Sequence, residues 1–269
     1  MKSLRFVRKL GKRGMFSLPI KIREALNITT EDEFEVFVDD DKLVLIKKTD
    51  SIIDKIKNDI DEDDFKIGLE PIINSLIELL IFEDDYMKDR IIRVRKYTEM
   101  LANVLSEKDK YSDYISYAYI KLLKKAVLFY DIGRIGLPED ILNKEGKLNP
   151  KEFNYVQEHT LRGSEILSKL IRIYPGNEFL ELAQSLAYYH HEKWDGSGYP
   201  NGLKGDEIPL ASRIIAVTGV YHSLISERPY RTAYSEKEAL KILKDESGKH
   251  FDPFIVDIFL KNKDRFIEG

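Results

Sequence analysis

The chain has 269 residues, with 43 Lys and Arg against 47 Asp and Glu, a formal net charge of −4 and no cysteine. That length holds a large domain plus a small one, and 43% apolar residues with 13 Phe and 15 Tyr exclude a disordered chain. The lack of cysteine excludes disulfides and thiolate metal sites; no long uncharged apolar run predicts a membrane span, and the basic opening MKSLRFVRKLGKRG has no apolar core of a secretory signal, so a cytoplasmic protein without membrane contact is expected.

The small net charge hides an asymmetry. Residues 1–23 carry eight Lys or Arg and no acid, which leaves 35 basic against 47 acidic residues in the rest. A basic end on an acidic body points to an anionic partner at that end, although charge alone also suits a solvated arm.

In chain order, LRFVRKL and GMFSLPI read as short strands around the turn GKRG. IKIREALNI after Pro19 suits one short helix, and EFEVFVDDDKLVLIKK reads as two alternating strands around residues 39–41. This ββαββ order fills about fifty residues, too few for an ample core, and dimerisation would supply what is missing. SIIDKIKNDIDEDDF is a charged, helix-compatible connector. Beyond it, helical periodicity is predicted over 71–84, 86–106, 111–130, 150–170, 177–191, 210–226, 235–246 and 252–262, punctuated by glycine and proline. The expected fold class is therefore two-domain, a small β-rich domain followed by an all-α one, divided as 1–49, a helical linker over 50–66, and 67–269.

The stretch VRKLGKRGMFSLPIKIREALNITTEDEFEVFVDDDKLVLIKK resembles the AbrB/SpoVT-type swapped-hairpin DNA-binding domain. The resemblance implies a homodimer of interlocked hairpins, extendable to a tetramer, that grips double-stranded DNA. Arg8, Lys9, Lys12, Arg13 and Arg23 are the expected DNA contacts, and their phosphate pairing would make binding fall steeply with salt. Met15 and Glu24 stand where many members carry arginine, so the sequence preference departs from theirs.

A second resemblance covers residues 85–262. YDIGRIGLPEDILNKEGKLNPKEF, HTLRGSEIL, YYHHEKWDGSGYPNGLKGDEIPLASRIIAV, RPYR and GKHFDP follow one another as in HD-GYP domains, which resemble metal-dependent phosphodiesterases of cyclic di-GMP. Phosphodiester hydrolysis near neutral pH calls for metal ions that activate water, held by imidazoles and a bridging carboxylate. By the resemblance, eight ligands are expected and four are found: Asp131, His159, His190 and His191. Tyr86 and Arg90 stand at the early Glu and His positions, Tyr130 replaces the doublet histidine, and Gly219 replaces the late aspartate. A bridged pair of ions is not expected; none is required, and one weakly held divalent ion is the most the set would keep. Asp131 could be satisfied by Arg90 or Arg134 instead of a metal; His222, one helical turn past Gly219, could add a nitrogen to such an ion or be an ordinary helix histidine, and His250 reads as a structural turn residue.

The phosphate-facing features fare better. By resemblance, Arg134, Tyr199, Arg228 and Arg231 would bind the dinucleotide, arginine being suited to bidentate phosphate contact and base stacking. The expected function is a DNA-binding transcriptional regulator with a degenerate HD-GYP domain that senses a nucleotide second messenger, cyclic di-GMP first. The alternatives are a phosphodiesterase with an altered site, a regulator whose helical domain serves only protein–protein contact, and a sensor of another nucleotide.

Overall fold

The computed structural model describes residues 23, 29, 33–39, 42–48, 73, 75–78 and 85–267, the last with breaks at 136, 139–140, 142–143, 145 and 228–231. The chain divides into two units, Met1–Asp64 and Phe65–Gly269.

In the first unit, β1 (Glu33–Asp39) and β2 (Lys42–Lys48) form an antiparallel hairpin in the register Val36↔Leu45 and Asp39↔Lys42. The alternating pattern around residues 39–41 predicts this pair of strands. The first two expected strands lie outside the described residues, as do Arg8, Lys9, Lys12 and Arg13. Arg23 is helical and half-buried, within the expected IREAL helix.

The second unit is all-helical among its described residues. Its helices are α1 (Asp85–Ser106), α2 (Tyr117–Ala126), α3 (Pro150–Gln157), α4 (His159–Ile173), α5 (Glu178–Tyr189), α6 (Leu210–Ile225), α7 (Glu236–Asp245), α8 (Pro253–Lys261) and α9 (Lys263–Ile267). Two expectations need correction. The period over 150–170 is two helices, broken at Glu158, and that over 111–130 begins as turns and becomes α2 only at Tyr117.

The helix starts follow from local chemistry. Ser116, Asn149, Asn177 and Ser235 each accept a hydrogen bond from a backbone amide of the first turn, satisfying a donor that the helix itself cannot. Asn149 and Ser235 form reciprocal capping boxes with Glu152 and Glu238.

α6 is the central helix, buried along Ile214, Ile215, Val217 and Tyr221 and carrying the buried polar residues Arg213, Thr218 and His222. It packs on α1, whose Val94, Tyr97, Leu101 and Leu105 are buried. The hydroxyls of Thr98 and Thr218 meet at 2.9 Å inside this interface and tie the two helices. α4 and α5 pair, and the 3-10 turn Ile132–Arg134 lies on α4. There a glycine is required: a Cβ on Gly133 would stand 1.9 Å from the carbonyl oxygen of His159 and 2.5 Å from the amide nitrogen of Gly163. That close approach sets Asp131 beside His159.

Candidate functional site

Asp131 follows the apolar run AVLFY, and its buried carboxylate lines a cavity of about 340 Å3. Arg90 from the second turn of α1, Tyr130, Arg134, His159, His190, His191, Tyr199, Gly219 and His250 line this cavity. Six of the residues assigned to the site from the sequence, Asp131, Arg134, His159, His190, His191 and Tyr199, are thereby brought together. Arg228 and Arg231 lie outside the described residues.

The two oxygens of Asp131 face different chemistry. Oδ1 lies 3.5 Å from Nε2 of His159 and 3.7 Å from Nε2 of His190. Oδ2 lies 2.8 Å from Nη2 of Arg90 and 3.9 Å from Nη1 of Arg134. Neither guanidinium aligns an N–H on Oδ2, so the attraction there is ionic rather than a directed hydrogen bond. The Nε of Arg90 donates to the hydroxyl of Tyr130, whose ring also lies beneath the guanidinium. Burial would raise the pKa of Asp131, but the positive charges of Arg90 and then Arg134 hold it well below the ordinary carboxylate range. The carboxylate is ionised.

The histidines are neutral. Burial pushes His190 down to about 3, against the pull of Asp131, and lowers His159 and His191 in the same direction. Nδ1 of His159 faces the Val156 carbonyl at 2.6 Å, and Nδ1 of His190 faces that of Leu186 at 3.0 Å. Those carbonyls fix the proton on Nδ1 of each ring, which leaves both Nε2 lone pairs facing each other at 3.2 Å. With His191, one nitrogen from each ring falls within 4.8 Å of the others. Three neutral imidazoles arranged in this way can offer nitrogen to one cation.

The loop after the histidine pair is fastened by a residue that the sequence reading passed over. Glu192 is buried, and its two carboxylate oxygens accept from the backbone amides of Asn201 at 2.7 Å and Leu203 at 3.0 Å. A carboxylate next to two imidazoles was the available signal, but its partners are backbone groups nine and eleven positions on. Tyr199, carried by this loop, stacks on His191 at 4.7 Å. Gly198 admits no side chain, since a Cβ would stand 2.3 Å from the amide nitrogen of Lys193.

Arg213 was likewise missed, though a lone charge within ASRIIAV signals a buried pair. It donates to Asp252 at 2.8 Å, Asp206 at 2.6 Å and the Tyr111 hydroxyl at 3.2 Å, joining the GKHFDP turn to α6. His222 does not line the cavity; it sits 3.1 Å from Asp89 and from the Ser226 hydroxyl. His250 does line it, stacked on Phe251 at 4.2 Å, with its pKa pushed by burial to about 4.

Residues 76–255 match the HD domain family, and residues 7–53 match the family described as antidote-toxin recognition MazE, bacterial antitoxin. The chain belongs to the HD domain family. Its relatives mark the HD-GYP group within it, and a MazE/AbrB-like domain precedes the helical unit. A probable cyclic di-GMP phosphodiesterase of Vibrio cholerae is 39% identical over 200 residues, covering 74% of this chain and 45% of that protein. A cyclic di-GMP phosphodiesterase of Thermotoga maritima is 33% identical over 220 residues, 82% of this chain and 54% of that protein. A 3'3'-cGAMP-specific phosphodiesterase 2 of Vibrio cholerae is 35% identical over 175 residues, 65% and 31% respectively. The chain thus spans about half the length of these relatives or less.

Two solved structures share the fold. The cyclic GMP-AMP-specific phosphodiesterase V-cGAP3 of V. cholerae superposes with a TM-score of 0.50 at 21% identity, over 74% of this chain and 50% of that one. Bd1817, an HDG"Y"P protein from Bdellovibrio bacteriovorus, gives 0.51 at 15% identity, over 88% and 94%. Among the described residues no helix is long and apolar enough to cross a membrane.

Proposed function

We propose that the chain is a DNA-binding regulator whose helical unit binds a cyclic dinucleotide, cyclic di-GMP first, without cutting it. The observation that carries this reading is the guanidinium of Arg90 held 2.8 Å from Oδ2 of Asp131. A two-ion hydrolytic centre needs a carboxylate free to bridge both ions. Here one oxygen of Asp131 already answers a fixed positive charge, which competes with any cation brought to that side. The residues present fit one ion on the Oδ1 side, among His159, His190 and His191, and do not fit a bridged pair. An ion on that side would supply Lewis-acid polarisation of a phosphoryl oxygen bound there.

The ligand class rests on the relatives, named for cyclic di-GMP and 3'3'-cGAMP, and on the cavity's own charge. Two guanidiniums stand against one carboxylate there, with the imidazoles neutral, which favours an anionic guest. Tyr199 offers a ring for base stacking. Arg228 and Arg231 join this set on the strength of the RPYR segment.

The MazE-like match and the eight basic residues in the first 23 support DNA as the partner of the small unit, with Arg8, Lys9, Lys12, Arg13 and Arg23 on its phosphates. Dimerisation through the swapped hairpins completes that unit's core. The division of labour is 1–49 for DNA and dimerisation, 50–66 as connector and 67–269 as sensor. Ligand binding regulates DNA only if it favours one arrangement of the dimer over another.

The test is calorimetric titration of cyclic di-GMP and 3'3'-cGAMP into metal-analysed full chain, followed by DNA binding across a salt series with and without the bound ligand. Binding without turnover, and a DNA affinity that changes with the ligand, support the reading; conversion to linear dinucleotide sinks it. The facing Nε2 atoms of His159 and His190 favour a second reading, a phosphodiesterase working with a single ion. Stoichiometric metal together with multiple turnovers would establish that instead.

A further inference from the structure

The cavity's chemistry is divided by Asp131. Its imidazole side can take a cation, whereas its other side already contains one covalently attached to the protein. Arg90 is 8% exposed, borders the cavity, and is braced from behind by the Tyr130 hydroxyl and ring. Arg134 approaches the same oxygen from the opposite end of the 3-10 turn, at 3.9 Å. Oδ2 itself has no aligned hydrogen bond from either group, so its pull on both guanidiniums is that of an ion pair.

We infer that Arg90 is a tethered cation standing in for a metal ion, and that Arg90 and Arg134 together receive a phosphate of the ligand without any metal. This deepens the proposed function and rests on its ligand-binding reading. A phosphate oxygen entering beside Oδ2 meets Nη2 of Arg90 and Nη1 of Arg134, and guanidinium N–H groups form directed, charge-assisted hydrogen bonds with phosphate oxygens. Asp131 then acts as a placeholder anion. It keeps two like charges together and competes with an incoming phosphate for them.

That competition gives a signature of its own. If a metal on Asp131 held the phosphate, removing the carboxylate charge would cost affinity; if Arg90 holds it, removing the charge relieves competition. The experiment is calorimetry of cyclic di-GMP with the full chain, in excess chelator and again with Mn2+. The variants are Asp131→Asn and the charge-matched Arg90→Met/Asp131→Asn, each checked for folding by thermal melting. The expected result is wild-type binding that is the same with chelator and with Mn2+. Asp131→Asn should bind at least as tightly, and the double variant should lose on the order of tenfold or more, the worth of a charged hydrogen bond.

Binding that requires Mn2+, or an Asp131→Asn protein that folds but loses the ligand, overturns the tethered cation and leaves the ligand-binding reading standing. So does a double variant that binds like wild type. Failure of the wild type to bind under either condition removes the ligand-binding reading, and this inference with it.

Discussion

The Nε2 atoms of His159 and His190 face each other at 3.2 Å, each ring having committed its Nδ1 to a backbone carbonyl. Two acceptor lone pairs at that separation call for a positive charge nearby, and Asp131 Oδ1 adds a third acceptor at 3.5 and 3.7 Å. Chelator-stripped protein is therefore expected to take up about one divalent ion per chain and to melt at higher temperature with it, as expected for a ligand that binds only the native state. Metal analysis after gel filtration and a melting series read this out. Two equivalents would contradict the charge placed by Arg90.

Removing that charge alone should be expensive. Arg90→Ala leaves Asp131 ionised, buried and answered only by the more distant Arg134, and breaking one side of a buried pair costs about 3–5 kcal/mol. Arg90→Met combined with Asp131→Asn removes both charges and should recover most of the loss. Denaturant midpoints of the two proteins decide the matter.

Two glycines predict opposite outcomes for one added methyl. Gly133→Ala drives a Cβ into the backbone of His159 and Gly163, and such overpacking against rigid neighbours should cost about 3 kcal/mol or more. Gly219→Ala, in the middle of α6, meets no heavy atom within 4 Å and should stabilise the helix by about 1 kcal/mol. Thermal melting of both variants, relative to wild type, tests the sign.

Glu192→Gln keeps the shape and one acceptor but turns an amine toward a backbone N–H. The cost should be about 1–3 kcal/mol, the price of a buried donor left without its acceptor. Hydrogen exchange should show it first at Asn201 and Leu203, whose amides Glu192 now receives. Unchanged exchange there would mean that the loop is fixed by something else.

Mild acid should destabilise the helical unit through its buried histidines. The pKa of His250 falls from an unfolded value of about 6.5 to about 4 in the fold. A depressed histidine stabilises the native state fully above the unfolded value, and that contribution is lost as pH falls from about 6.5 towards the folded pKa. His190, at about 3, acts with the same sign. Melting temperature should decline from pH 7 to pH 4, less steeply in His250→Gln; a flat profile in wild type would refute the assignment.

What could be read in the sequence was whatever is local. The hairpin around residues 39–41 and the run HHEKWDGSGYPNGLKG are written in adjacent residues. So was the cost of burying Asp131, which pointed to Arg90 or Arg134 as its partner; both approach it. The division of that carboxylate between two kinds of neighbour was not, because it depends on how the Ile132–Arg134 turn settles on α4 through Gly133. Glu192 and Arg213 escaped for the same reason: their partners are backbone amides of a later loop and acids of remote turns. The break at Glu158 escaped because its backbone stays in the helical region and the apolar period barely falters.

The paired hydroxyls of Thr98 and Thr218 have a mechanical meaning. α1 bears Arg90, and α6 bears Ile215, Ala216 and Gly219 on the facing side of the pocket. The Thr98–Thr218 contact and the Asp89–His222 contact both cross this helix pair, so the two polar ties resist sliding of one helix past the other. Thr98→Val would cut one of these ties and should loosen the register of the two helices whose residues line the cavity.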